Sequence, residues 1–191
     1  EGKKVGGLDL PLYGATAPMM SPDGTRIAVP ARGVGRPSTD KLNLWVVDVE
    51  RGAATKLTES GVVQALPAWS EDGVRIAVLR DVDTTDADSR LDAIRADGSG
   101  ESETIFEADI TFQAELSRDW SWVAFMTGSF GDAKGVAIAR RRLDDPATHS
   151  IVFDGPSQDL LPKIHPDGDW IAYASGPLGS FDTYIQRFPE G

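Results

Sequence analysis

Histidine is scarce and cysteine absent in this 191-residue chain, so any chemistry must come from serine, carboxylate and two imidazoles, His149 and His165. An α/β-type serine hydrolase needs a Gly-x-Ser-x-Gly elbow to hold its nucleophile clear of the sheet, and the chain contains none. His149, with Asp145 and Ser150 close by, has the residue types of a triad. Neighbours on one extended segment point to alternate faces, however, and do not converge on one substrate atom. Asp81, Asp83, Asp86 and Asp88 offer hard oxygen ligands of the kind Ca²⁺ takes. They lack the glycine and the distal bidentate Glu of a helix-loop-helix calcium loop, so a solvated acidic loop is the reading. The expectation is no catalytic residue, no metal site and no cofactor. The absence of cysteine also removes any disulfide framework, zinc knuckle or thiol nucleophile.

The elements that would position such side chains are set by a repeat. Met20-Ser21-Pro22-Asp23-Gly24-Thr25-Arg26-Ile27-Ala28-Val29 recurs as Trp69 to Val78, Leu116 to Phe125 and Ile164 to Tyr173, at strides of 49, 47 and 48 residues from Ser21 to Ser70, Ser117 and His165. His165 takes the serine's place in that series and is read as a turn residue. A fixed period of this length with strand-like content marks a β-propeller, one four-stranded blade per repeat. Asp-Gly suits the hairpin between the first two strands, because Gly accepts positive φ and Asp bonds its own backbone two residues on. Trp120 stands where the other repeats have the turn glycine, which predicts another turn type in that hairpin.

The fold class expected is all-β: a propeller of four four-stranded blades forming one domain over 1–191, with repeats at about 17–58, 65–106, 112–153 and 160–188. The last repeat is one strand short and an N-terminal strand at 4–10 is in surplus, so that strand is expected to complete the last blade and remove a free edge. Completion within one molecule gives a closed ring; completion between two gives a homodimer. Propellers place ligands at the central tunnel and its mouth. The polar residues near the inner strands, Gln64, Gln113, Glu115, Asp159 and Lys163, are therefore the candidate ligand-binding set. Glu115 and Lys163 occupy equivalent places in adjacent repeats, which also fits an ion pair closing the seam between blades.

Composition narrows the partners. A net charge of −11 repels polyanions and excludes nucleic acid as an expected partner. Arg140-Arg141-Arg142 is the one basic run and, followed by Asp144-Asp145, reads as a solvated strand edge. No apolar run approaches the ~18 residues that span a bilayer. A chain opening at Glu1 instead of Met is read as a processed chain or a piece of a longer protein.

The turn motif of Ser21 to Val29, the Leu44-Trp45-Val46-Val47-Asp48 strand ahead of Gly52, and the Pro67-Ala68-Trp69-Ser70 entry resemble the TolB-like, WD-like β-propeller repeats of bacteria. Among these they look most like the propeller regions beside transmembrane serine/threonine kinases and in prolyl-oligopeptidase-type peptidases, and the segment from Trp170 to Pro189 is especially similar to the kinase-associated group. That resemblance implies a binding or gating module of an extracytoplasmic, periplasmic or extracellular protein, recognising a protein or a small molecule at the tunnel mouth. Two enzyme readings stand as rivals: a fragment of a propeller-bearing peptidase whose catalytic domain lies outside this chain, or a small metal-dependent hydrolase using tunnel carboxylates. Rings of the family have six to eight blades, and four repeats are present here.

Overall fold

The structure, a computed structural model, describes residues 10–36, 41–59, 67–80, 89–110, 113–129, 135–153 and 158–188. The chain is an all-β, four-blade β-propeller. Blade one holds β1 (Leu12–Tyr13), β2 (Met19–Met20), β3 (Arg26–Gly33), β4 (Asn43–Asp48) and β5 (Ala54–Lys56). Blade two is β6 (Ala68–Trp69), β7 (Arg75–Arg80), β8 (Ser89–Arg95) and β9 (Glu103–Ala108). Blade three is β10 (Ala114–Leu116), β11 (Trp122–Gly128), β12 (Val136–Arg142) and β13 (Ser150–Phe153). Blade four is β14 (Gln158–Ile164), β15 (Trp170–Gly176) and β16 (Asp182–Arg187), three strands among the described residues. The N-terminal strand expected at 4–10 lies, apart from Leu10, outside the described residues. What precedes the first repeat adds instead the short β1, which pairs antiparallel with the far end of β3 (Leu12 with Gly33, Tyr13 with Arg32).

Apart from β1, the strands of each blade pair antiparallel in chain order, and the second strands of blades one to three, β3, β7 and β11, are buried on both faces through their central residues. Alternation then sends successive side chains to opposite neighbours. Ile76 and Val78 of β7 pack into an apolar cluster with Ala28, Leu44 and Val46 of blade one. Ala77 and Leu79 of the same strand pack with Val123 and Phe125 of blade three. A third cluster joins Ala124 and Ile138 to Ile171, Tyr173 and Phe188, sealing blade three to blade four. These interfaces form the core, and they require apolar residues on both faces of β7 and β11 where a one-sided sheet would alternate with polar ones.

The four hairpins share one hydrogen-bond plan. The amides of Gly24, Gly73, Trp120 and Gly168 donate to the carbonyls of Ser21, Ser70, Ser117 and His165 at 2.8–2.9 Å. Trp120 therefore keeps the turn of the other repeats, contrary to the sequence expectation. It adopts the left-handed φ of 57° where the glycines lie at 72°, 67° and 80°. The cost of that backbone, roughly 1–2 kcal/mol for a non-glycine residue, is offset across the blade seam. The indole Nε1 donates to the Trp69 carbonyl at 3.3 Å, and the Arg75 guanidinium lies 5.1 Å from the ring centroid.

The basic run is also corrected. It lies in β12, where Arg140 pairs with Ala124 of β11 and with Ser150 of β13 and so is internal to the sheet, while Arg141 and Arg142 pair with β11 alone. Arg141 sits 4.2 Å over the Phe106 ring of blade two, and burial pulls its pKa down. Arg140 Nε bonds Ser150 Oγ at 3.0 Å, and Arg142 stacks over Trp122 while bonding Asp144 at 2.9 Å.

Candidate functional site

Two groups of side chains could carry function, and the first is spent on folding. Each hairpin aspartate accepts the amide two residues on: Asp23 from Thr25, Asp72 from Val74, Asp119 from Ser121 and Asp167 from Asp169, all at 2.9–3.0 Å. In the first three repeats the serine hydroxyl also donates to that carboxylate at 2.6–2.7 Å. These bonds favour the ionised form. The Ser21 hydroxyl, helped by Thr25, holds Asp23 down at about 2, and Asp72 and Asp119 are lowered chiefly by Ser70 and Ser117. Asp167 is lowered first by the Asp169 amide and then by His165, whose Nδ1 lies 2.7 Å from Oδ1. His165 thus takes the serine's place beside the turn carboxylate. His149 closes a short 3₁₀ turn, Pro146–Thr148, with its ring 5.9 Å from that of Phe125. Ser150 Oγ accepts from Arg140, and Asp145 accepts the Ala147 amide, so the three residue types of a triad are engaged separately.

The second group lies on the inner strands β10 and β14. Lys163 Nζ meets Glu115 Oε2 at 2.7 Å across the seam between blades three and four. The Glu115 side chain is 19% exposed and that of Lys163 47%, so the pair is reachable from solvent on the lysine side. Burial raises the pKa of Glu115, and the Lys163 charge and hydrogen bond work against that rise. A β-bulge sets the register: three steps from Leu160 to Lys163 oppose two from Ala174 to Ala172, and Leu161 takes a φ of 56°. Bulges of this kind re-aim a side chain near a site. The extra residue brings Lys163 opposite Ala172 and leaves the Pro162 carbonyl accepting from Gln113 Nε2 at 3.4 Å.

The candidate set therefore divides. Glu115 and Lys163 come together with access to solvent. Gln113 is 5% exposed and Asp159 fully buried, the latter contributing, after burial itself, to the raised pKa of Tyr173. Both are buried within the inner-strand region, where Glu115 and Lys163 are partly open. Gln64 and the four acidic-loop residues Asp81, Asp83, Asp86 and Asp88 lie outside the described residues. Among the described residues no cluster of His, Asp or Glu is arranged to hold a metal ion.

A cleft that sequence reading missed opens on blade one. It has a volume of about 360 Å³ and is lined by Arg32, Arg36, Lys41, Lys56, Asn43 and Trp45 among others. Lys56 bonds Glu59 at 2.6 Å, and the Trp45 indole donates to the Ala31 carbonyl at 3.2 Å. Four cations beside an indole would favour an anionic group over a neutral one. They come from separate strands and loops, so no linear signal announces them.

No family model matches the chain, and no curated protein matches it. Solved structures do. A crystal structure of TolB from Acinetobacter baumannii superposes with a TM-score of 0.70 at 18% identity, over 93% of this chain and 42% of that one. A putative TolB from Agrobacterium tumefaciens gives 0.68 at 19% identity, over 95% of this chain and 66% of that one. A prolyl endopeptidase gives 0.59 at 16% identity, over 92% of this chain and 28% of that one. The chain thus spans less than half of the first and about two thirds of the second. Shared blade geometry at such low identity speaks for fold: this chain has the TolB-like β-propeller fold in a four-blade arrangement.

Proposed function

We propose that this propeller is a non-catalytic recognition or scaffolding module of a larger extracytoplasmic bacterial protein, periplasmic or extracellular, which binds a protein or small-molecule ligand at the tunnel mouth and not nucleic acid. The observation that supports it best is the Glu115–Lys163 pair, a charged contact at 2.7 Å on the inner strands with one partner open to solvent. Around it the hydroxyls and carboxylates of the turns are committed to their own hairpins. A half-exposed ion pair adds little stability, but it presents opposite charges side by side, which orients a polar ligand and discriminates among partners. No helix among the described residues is long and apolar enough to cross a membrane. The net charge of −11 argues against nucleic acid.

The rival reading, a propeller fragment of a peptidase, draws support from the likeness to a prolyl endopeptidase. The two readings share the tunnel and differ in what lies beyond the chain. The test is selection of a displayed peptide library on the purified chain, followed by binding to the double variant Glu115→Lys with Lys163→Glu. The swap keeps the pair and inverts its polarity, so selected peptides should lose at least about tenfold in affinity while the melting temperature stays unchanged. Peptides that bind the swap as well as the wild type would refute the inner-strand reading.

A further inference from the structure

One inner-strand residue stands in a backbone conformation that its side chain does not favour. Leu161 of β14 takes a φ of 56°, in the left-handed region where a bulky side chain is a steric outlier. It also precedes Pro162, and the residue before a proline is driven toward extended backbone with φ near about −120°. Two local rules are broken at one position. Trp120, which breaks the first of them, is held by the indole bond to the Trp69 carbonyl. The Leu161 side chain has no such return: it is 51% exposed and belongs to none of the three apolar clusters.

The conformation is imposed from blade three. Strand β10 grips β14 at two points just past Leu161: Gln113 Nε2 donates to the Pro162 carbonyl at 3.4 Å, and Lys163 Nζ donates to Glu115 Oε2 at 2.7 Å. Pairing with β15 skips Leu161 and Pro162 and resumes at Lys163 opposite Ala172. Proline, which has no amide hydrogen to give the ladder, fits such a bulge. Pro162 is buried, while Leu161 and Lys163 on either side of it are exposed. An apolar group and an ammonium group thus stand two residues apart on the inner strand, the ammonium with its counterion behind it. Residues held in disfavoured conformations by the structure around them cluster at ligand clamps and active sites.

We propose that Leu161 and Lys163 form one two-part subsite for an extended peptide segment of a partner protein, an apolar side chain seating on Leu161 and a neighbouring carboxylate on Lys163. This rests on the inner-strand reading and adds the partner's chemistry to it. An extended peptide matches the spacing, because side chains two residues apart on such a chain share a face and stand about 6–7 Å apart. The sign follows from exposure. Lys163 is 47% exposed and Glu115 19%, so an incoming group meets the ammonium first. The ammonium has three donors and spends one on Glu115, which leaves donors for a second carboxylate. A basic residue would meet like charge at the same point. An apolar residue on Leu161 removes from water a side chain that the fold itself leaves half exposed.

The test is the sequence pattern of peptides selected from a displayed random library on the full chain, followed by their affinity for Leu161→Asn and Lys163→Met. Asparagine tolerates the left-handed backbone, so Leu161→Asn deletes the apolar contact and keeps the bulge; its melting temperature should equal or exceed that of the wild type. Selected peptides should carry Asp or Glu within about two residues of an apolar side chain. Leu161→Asn should bind them at least about tenfold more weakly, and selection repeated on it should keep the acidic preference and lose the apolar one. Selection on Lys163→Met should do the reverse. Peptides that lose affinity for the double variant Glu115→Lys with Lys163→Glu, yet show no apolar preference or bind Leu161→Asn as tightly as the wild type, would overturn this proposal and leave the inner-strand reading standing. A lower melting temperature in Leu161→Asn would also overturn it, because the leucine would then serve the fold. A library that yields no binder, or peptides indifferent to the double variant, would overturn both.

Discussion

The Trp120 indole of blade three donates its Nε1–H to the Trp69 carbonyl of blade two at 3.3 Å, from a turn position whose φ of 57° glycine would occupy without strain. A local cost and a cross-blade gain are thus fixed to one side chain. Trp120→Gly removes both, and Trp120→Ala removes the gain while keeping most of the cost. The expected order of stability is wild type, then glycine, then alanine, with alanine about 1 kcal/mol below glycine. Urea unfolding of the three proteins measures it. A glycine variant more stable than the wild type would show that the indole contacts do not offset the turn.

Asp92 is 1% exposed and is held by Arg80 Nε at 2.9 Å, Arg90 Nε at 3.3 Å and the Thr104 hydroxyl at 2.8 Å. Removing the carboxylate leaves the Arg80 charge, on a side chain only 14% exposed, without its counterion, so Asp92→Ala should cost about 3 kcal/mol. Equilibrium unfolding against the wild type checks this. A cost near that of an exposed ion pair would mean that water replaces the carboxylate.

The turn aspartates tie stability to acid pH. Their folded-state pKa values lie below the usual carboxylate value, with Asp23 at about 2. A depressed folded pKa gives stability that is present above the unfolded pKa, near 4, and is lost as pH falls through the folded value. The melting temperature should therefore fall between about pH 4 and pH 2. Alanine at Asp23, Asp72, Asp119 or Asp167 should lower it at neutral pH by a similar amount and flatten the acid slope. One position far more sensitive than the others would point to a role beyond its hairpin.

Glu115 runs the opposite way. Burial raises its pKa and Lys163 counters the rise, so its contribution to stability is greatest below the unfolded value and declines as pH rises through the folded one. Lys163→Met removes the counterweight. Carbon-detected titration of the Glu115 carboxyl should place it above an ordinary glutamate in the wild type and higher still in the variant. An unchanged value in the variant would show that the pair does not couple.

Much of this was legible in the sequence, for a physical reason. The Ser-x-Asp-Gly hairpin is a local device whose donors and acceptors lie within five residues, so Ser21, Asp23 and Gly24 announce it and the even spacing announces the blades. What escaped was decided between blades. Trp120 was expected to change its turn because local propensity disfavours it there, yet Trp69 and Arg75 hold it in place. The arginine run was expected at an edge because charge usually marks one, yet Arg141 lies on Phe106 from the neighbouring blade. Of the inner-strand residues, the spacing placed Glu115 opposite Lys163, but it could not show that Asp159 and Gln113 are buried. The cationic cleft of Arg32, Arg36, Lys41 and Lys56 left no local trace, since strand pairing alone assembles it.

The central claim, recognition at the inner strands, is tested most directly by mapping amide chemical shifts while titrating a library-selected peptide into isotope-labelled protein. The account predicts that the largest changes centre on Glu115 and Lys163 and spread to Gln113, and that they vanish in the double variant Glu115→Lys with Lys163→Glu. Changes confined to the cleft around Trp45 or to the turn aspartates, with Glu115 and Lys163 unmoved, would contradict it.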